Sequence, residues 1–155
     1  MSRENYMSGQ ANEKIVNGLT KVLADTFVLY FKTHSFHWNV EGINFGQLHA
    51  MFEEQYTALW EVSDDLAERI RALGAYAPCD QQSIMENATL KGQPKVIDGK
   101  AMIKELAEDH TKIVEVIYPV LRTAEDAGDE ATVDMLIERI DEHEKTAWML
   151  NAHLK

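Results

Sequence analysis

Four long stretches of helical periodicity constrain the fold of this chain more than any other feature of its sequence. Apolar residues recur at intervals of three and four over residues 12–38, 45–73, 98–121 and 129–154. The link over 39–44 is short and contains Gly42, which is typical of an antiparallel helix pair. The link over 75–99 is longer, holds two prolines and has room for a short extra helix at 81–88. Pro119 lies inside the third stretch and should kink or break that helix.

These lengths and links predict an all-α fold, a four-helix bundle with one crossover. That is the ferritin-like plan, with the short extra helix in the connection between the second and third long helices. A chain of 155 residues has the size of one domain, so we expect a single domain over 1–155. Residues 1–11 precede the first periodic stretch and are expected to form a flexible tail.

Composition excludes several classes of protein. The formal net charge of −11 disfavours a free-standing nucleic-acid binder, because phosphate contacts need clustered cations. A single cysteine, Cys79, rules out an internal disulfide and a Cys-rich zinc site. The chain has no apolar run of signal-peptide length at its start and none of the ~20 residues that a membrane span needs. We therefore expect a soluble cytoplasmic protein without a membrane partner.

The second helix carries a group of imidazole and carboxylate side chains that suits iron, manganese or zinc. At ~100° per residue, with His49 at zero, Glu53 lies near ~40°, Asp64 near ~60° and Glu68 near ~100° on the helical wheel. The apolar face of the same helix lies between roughly −60° and −120°. His37, in the last turn of the first helix, is brought near His49 by the short link.

Distance prevents one chain from completing this site. His49 and Asp64 are fifteen residues apart, about 22 Å along a helix at ~1.5 Å per residue, whereas metal–ligand bonds to nitrogen and oxygen are about 2.0–2.2 Å. A second copy of the helix running antiparallel would bring His49 beside Asp64 and Glu68 of its mate and form the site twice. The sequence therefore predicts a metal site shared across a two-fold dimer interface.

Two alternatives remain open at this point, and a third is disfavoured. The carboxylates could be a solvated face, so that the chain is a non-enzymatic scaffold or DNA-coating bundle. The metal could be zinc or manganese, since the ligand types do not decide. A larger ferritin with its di-iron site inside one bundle is disfavoured, because none of the six histidines has Glu three residues before it. The histidines at the remaining positions are interpreted as structural: His34, His110, His143 and His153.

One run of residues resembles a known family. His37-Trp38-Asn39-Val40-x-Gly42-x-x-Phe45-x-x-x-His49-x-x-x-Glu53, followed by Asp64-x-x-x-Glu68-Arg69, strongly resembles the Dps-type mini-ferritins over nearly the whole chain. The resemblance implies a hollow dodecamer of two-fold dimers that oxidises Fe(II), usually with hydrogen peroxide, and stores ferric mineral. The resemblance thus implies a ferroxidase that protects the cell from oxidative damage.

The resemblance also assigns roles to residues. His37, His49 and Glu53 would bind iron from one subunit and Asp64 and Glu68 from its two-fold partner, with His37, His49, Asp64 and Glu68 as the catalytic set. The family often has Asp at the position of Glu53, which puts the direct contact of Glu53 with iron in doubt. Trp38 would lie beside the site as a trap for one-electron oxidants, or simply be a packed interface aromatic.

Two further expectations come from the family. Its pores for iron uptake are lined by acids at the start of the last helix, which Asp134 matches and which Glu130 and Asp126 would join at intervals of four. Family members that bind DNA commonly use Lys/Arg-rich tails, whereas here Arg3 and Lys14 stand among acids. We therefore expect no tight DNA binding at physiological salt, and association with the nucleoid only if DNA is bound.

Overall fold

The computed structural model describes residues 7–155, which form five helices and no strand. The four long helices are α1 (Gly9–Asn39), α2 (Phe45–Ala72), α4 (Gly99–Ala127) and α5 (Glu130–Ala152). The short helix α3 (Gln81–Asn87) lies in the long connection between α2 and α4. The predicted all-α four-helix bundle with an extra helix is confirmed. No helix in residues 7–155 is both long and apolar enough to cross a bilayer.

Side-chain caps define where the helices begin. Ser8, Asp80, Asp98 and Asp129 each precede a helix and accept a hydrogen bond from the backbone N–H three residues later. At the other end of α4, Gly128 has φ +70°, the left-handed conformation that terminates a helix at little cost only for glycine. The turn between α4 and α5 is therefore encoded by two adjacent residues.

The bundle core consists of two apolar clusters arranged along the helices. One is built around Leu19, Leu66, Ile117 and Leu136, and the other around Leu29, Phe52, Leu106 and Leu150. Each cluster thus draws on all four long helices, and α3 packs against α1. Burial of these side chains is the main stabilising contribution to the bundle.

Buried polar groups tie the long connection and the helices together. The fully buried carboxylate of Asp25 on α1 accepts hydrogen bonds from Thr89 N, Thr89 Oγ1 and Leu90 N at 2.7–2.9 Å. Lys32, also buried on α1, forms ion pairs with Glu105 and Asp109 of α4 at 2.9 and 2.5 Å. Asp25 therefore fixes the crossover to the bundle, and Lys32 joins α1 to α4.

Two expectations need correction. Helix α1 begins at Gly9, so residues 9–11 of the expected tail are helical, while residues 1–6 lie outside the described part of the chain. Of the two effects expected of Pro119, a kink or a break, the break does not occur, because α4 runs without interruption to Ala127. Pro119 and Glu115, whose carbonyl loses its usual N–H partner, are both exposed, so water can satisfy that carbonyl.

Candidate metal centre

Two imidazole rings meet where α1 ends and α2 begins. The rings of His37 and His49 are stacked, with centroids 3.7 Å apart and planes 18° from parallel. The Nδ1 of His37 lies 2.7 Å from the carbonyl oxygen of His49, and the Nδ1 of His49 lies 2.8 Å from the carbonyl oxygen of His37. The short link between the helices, with Gly42 at φ 110°, allows this mutual contact. The structure thus brings together two of the predicted ligands.

The reciprocal hydrogen bonds determine which nitrogen of each ring is available. A carbonyl oxygen can only accept, so each Nδ1 must carry its proton and donate it. In a neutral imidazole the lone pair then lies on Nε2, which is the arrangement of a metal-ligating histidine whose other nitrogen is held by a backbone carbonyl. On each ring, Nε2 is therefore the nitrogen whose lone pair is available to a cation.

The carboxylates of the predicted set lie along α2. Glu53 is exposed one turn after His49, whereas Asp64 and Glu68 are exposed about 22 Å and more from His49 along the helix axis, at ~1.5 Å per residue. Within one chain, residues 7–155 contain no group of three or more His, Cys, Asp or Glu side chains that could hold a metal ion. A site that includes Asp64 and Glu68 beside His49 requires a second copy of the chain.

Aromatic side chains surround the histidine pair, and one more histidine lies among them. His34 stacks on Tyr56 at 3.8 Å and 15°, and its Nδ1 lies 3.1 Å from the hydroxyl of Tyr30. Desolvation lowers the pKa of His34, and the nearby His37 lowers it further, although Glu53 opposes both. The sequence indicates only a structural role for His34, whereas the structure places its ring 5.9 Å from that of His37, beside the candidate site. Its position three residues before His37 was the signal available in the sequence.

Two tryptophans extend this aromatic group onto the surface. Trp38 is 56% exposed and lies 4.3 Å from the ring of His34, and Trp60 is 58% exposed and lies 5.2 Å from Tyr30. Indole rings at this exposure beside a candidate site are typical of a surface that another protein covers.

The acids predicted to line a pore divide between two helices. Asp126 lies on α4, whereas Glu130 and Asp134 lie on α5 beyond the turn at Gly128, so the three do not share one helical face. All three are exposed. Asp134 also lines a cleft between α2 and α5 together with Glu68.

A buried arginine–aspartate pair positions the start of α5. Arg69 donates from Nη2 to Asp129 Oδ1 at 2.5 Å and from Nε to Thr132 Oγ1 at 2.9 Å. Asp129 is 1% exposed and caps α5. Because Arg69 follows Glu68 on α2, this pair couples the carboxylate end of α2 to the helix that carries Asp134. Neither Asp129 nor Thr132 was singled out from the sequence, where Asp129 is indistinguishable from an ordinary helix cap.

Comparisons with known proteins agree with this architecture. A family profile described as a ferritin-like domain matches residues 16–155. The DNA protection during starvation protein of Helicobacter pylori is 35% identical over 88% of this chain and 95% of its own length. A general stress protein of Bacillus subtilis is 34% identical over 92% of this chain and 99% of its own. The crystal structure of a Dps protein from Vibrio cholerae O1, described as a ferritin-like diiron-carboxylate protein, superimposes with a TM-score of 0.92 at 36% identity, covering 96% of this chain and 94% of that one.

Proposed function

The chain belongs to the Dps-type mini-ferritin family of ferritin-like proteins, and from that premise we propose that it is a ferroxidase that stores and detoxifies iron. It oxidises Fe(II), with hydrogen peroxide as the oxidant, and retains the ferric product as mineral inside a hollow oligomer. The consequence for the cell is protection from oxidative damage under stress.

The reciprocal hydrogen bonding of His37 and His49 is the observation that carries this proposal. Two stacked imidazoles with both Nδ1 atoms bonded to carbonyls, at 2.7 and 2.8 Å, leave both Nε2 lone pairs for a cation. Imidazole and carboxylate together suit Fe(II) as substrate.

The remaining ligands come, in this proposal, from a two-fold partner. Asp64 and Glu68 of the second copy lie opposite His37, His49 and Glu53, which makes two equivalent sites per dimer. Two observations support the pairing: both carboxylates are exposed in one chain, and so are Trp38 and Trp60 beside the imidazoles. Six such dimers would close the dodecamer that the family resemblance implies.

The chemistry follows from the ligand set. Two Fe(II) ions bound near one another supply the two electrons that reduce hydrogen peroxide to water, so no hydroxyl radical is released. The carboxylates favour the ferric product because oxygen anions are hard donors, and the few protein ligands leave positions open for peroxide. Glu53 has a longer arm than Asp and acts in this scheme as an auxiliary ligand.

Three secondary roles complete the proposal. Trp38 intercepts one-electron oxidants beside the site. Asp126, Glu130 and Asp134 line the pores that attract Fe(II), since negative potential raises the local cation concentration. The protein is cytoplasmic. It does not bind DNA tightly, because the chain carries a net charge of −11 and DNA phosphates repel negative charge. A plasmid gel shift at neutral pH that persists at physiological salt would contradict this last point.

Stopped-flow measurement of Fe(II) oxidation by hydrogen peroxide tests the function. The His37→Ala/His49→Ala double variant should lose rapid oxidation while keeping the native mass of the wild-type assembly. His153→Ala is the matched control, because His153 is an exposed histidine on the C-terminal side of α5 with its Nδ1 bonded to the Met149 carbonyl. Wild-type protein that consumes peroxide no faster than buffer would instead identify a non-enzymatic scaffold or DNA-coating bundle.

A further inference from the structure

A continuous series of rings on α1 and α2 connects the candidate site to Tyr30, two turns earlier on α1 than His37. The Tyr56 ring lies 5.2 Å from His37, edge to face, and stacks on His34 at 3.8 Å. The His34 ring lies 5.6 Å from Tyr30, and the rings of Tyr30 and Tyr56 are 6.3 Å apart. The centroids of neighbouring rings in this series are therefore 3.8–6.3 Å apart. Electrons pass rapidly between aromatic groups at such short separations.

One phenol in this series is hydrogen-bonded to a base. Tyr30 and His34 lie one turn apart on α1, so their side chains share a face of the helix. The Tyr30 hydroxyl oxygen and His34 Nδ1 lie 3.1 Å apart in a partly buried position. When His34 is neutral with its proton on Nε2, its Nδ1 accepts the hydrogen bond from the hydroxyl. Oxidation of a phenol is unfavourable unless its proton leaves with the electron, and an imidazole nitrogen at hydrogen-bond distance is able to accept that proton.

We infer that Tyr30 is a one-electron relay for the iron site, with His34 as its proton acceptor. The inference rests on the proposed ferroxidase function and extends it to the case in which a site holds a single Fe(II). Peroxide needs two electrons, and one Fe(II) supplies only one. Tyr30 supplies the other, so that peroxide is reduced completely even at a half-filled site.

The electrons and protons balance in two steps. In the first, H2O2, Fe(II), the Tyr30 phenol and one solvent proton give two waters, Fe(III) and the Tyr30 phenoxyl radical. The O–O bond breaks, and the phenol O–H bond breaks with its proton on His34 Nδ1, from which it is passed on to the waters. In the second, another Fe(II) reduces the phenoxyl, which takes up a proton through His34 and becomes a phenol again. The sum is the normal reaction of two Fe(II) with one peroxide.

The geometry favours Tyr30 over the other oxidisable rings. Tyr56 is closer to His37, but it contacts His34 face to face, so the imidazole stacks on its ring. Trp38 lies 4.3 Å from the ring of His34, but within the described residues its indole N–H has no hydrogen-bonded base that could take up its proton. Among these rings, Tyr30 is distinguished by its hydrogen bond to an imidazole nitrogen. We therefore expect the radical to be a tyrosyl radical.

Freeze-quench electron paramagnetic resonance tests this inference on the assembled protein. Wild-type protein is loaded with one Fe(II) per site and mixed with hydrogen peroxide, and the organic radical is recorded at millisecond times. A tyrosyl spectrum is expected, with hyperfine structure that collapses when the protein contains ring-deuterated tyrosine. Tyr30→Phe, which keeps the ring, should lose the tyrosyl signal and increase the hydroxyl-radical adduct of a spin trap.

Two further variants separate the relay from a structural effect. Tyr118→Phe removes a half-exposed tyrosine of α4 and should leave the radical signal and the adduct level unchanged. His34→Gln keeps a hydrogen-bond acceptor but cannot take up a proton, so the tyrosyl yield should fall although Tyr30 is present. A wild-type yield in His34→Gln would overturn the role of His34.

The outcomes also separate this inference from the proposed function. Rapid Fe(II) oxidation at two irons per site, combined with no tyrosyl signal at one iron per site, would overturn the relay and leave the ferroxidase intact. A tyrosyl signal that survives in Tyr30→Phe would likewise overturn it. Absence of peroxide-driven oxidation at either loading would reject the ferroxidase itself.

Discussion

A buried pair of histidines in the bundle core should make the protein sensitive to mild acid. His110 on α4 and His143 on α5 are 3% and 4% exposed, and their Nδ1 atoms lie 2.9 Å apart. This contact needs one Nδ1 to donate and the other to accept, so it is lost when both rings are protonated. Desolvation lowers the pKa of His110 to about 4, and it lowers the pKa of His143 well below the usual value, with His110 and Arg139 adding to the effect.

The direction of the change in stability with pH follows from the number of protons bound by the folded and the unfolded chain. Between pH 6.5 and 4 the unfolded chain binds protons at these histidines and the folded chain does not, so the free energy of unfolding falls as the pH falls. One pKa unit corresponds to about 1.4 kcal/mol, so a displacement from 6.5 to about 4 amounts for His110 alone to about 2–3 kcal/mol between pH 7.5 and pH 4.5. The neutral pair contributes its full stability above pH 6.5.

Urea unfolding at a fixed protein concentration measures this effect. The wild type is compared at pH 7.5 and pH 4.5 with a His110→Gln/His143→Gln variant, which keeps polar groups but cannot titrate at these two positions. The other ionisable groups titrate in both proteins, so their contribution cancels in the difference. The wild type should lose at least about 2–3 kcal/mol more than the variant over this pH range, since that figure is for His110 alone and His143 adds to it. An equal loss in the two proteins would refute the reasoning.

Two substitutions test the packing. Asp25→Ala removes the acceptor of three hydrogen bonds from Thr89 and Leu90, and urea unfolding should show a loss of about 3 kcal/mol; a loss under ~1 kcal/mol would mean that the connection is held by other contacts. Gly18→Ala places a Cβ 2.6 Å from Val120 Cγ2 and should cost about 1–3 kcal/mol. In a Val120→Ala background the same change should stabilise the protein by up to ~1 kcal/mol, because alanine favours the helix; a loss in both backgrounds would exclude the clash.

The periodic apolar residues were sufficient to predict the helices and their order. Helix α2 was expected over 45–73 and is found at Phe45–Ala72, and the short helix was expected over 81–88 and is found at Gln81–Asn87. The proximity of His37 and His49 followed from the short link between α1 and α2. Local spacing carried these predictions, since each depends on residues close together in sequence.

Features that depend on tertiary packing were missed. The burial of His110 and His143 agrees with their interpretation as structural, and their spacing from Ile103 and Leu136 places them on apolar faces. Only the packed bundle shows that the two rings meet. The burial of Asp25 could not be predicted for a similar reason, because its hydrogen-bond partners Thr89 and Leu90 are more than sixty residues away in the sequence. Helical periodicity identifies the side of a helix that faces the core, but it does not identify the partner there.

The central claim is that the iron site is shared between two copies of the chain. A His37→Ala/His49→Ala chain and an Asp64→Ala/Glu68→Ala chain, each inactive alone, are co-expressed in equal amounts with different tags. In a mixed dimer one site lacks all four side chains and the other is complete. With random pairing half of the dimers are mixed, so about one quarter of the wild-type sites should be restored.

Peroxide-driven Fe(II) oxidation by the mixed assembly is therefore the most direct measurement. We predict about one quarter of the wild-type rate per chain, at the same native mass as the wild type. An oxidation rate at the level of the two parent variants, in assemblies shown by their tags to contain both chains, would contradict a shared site.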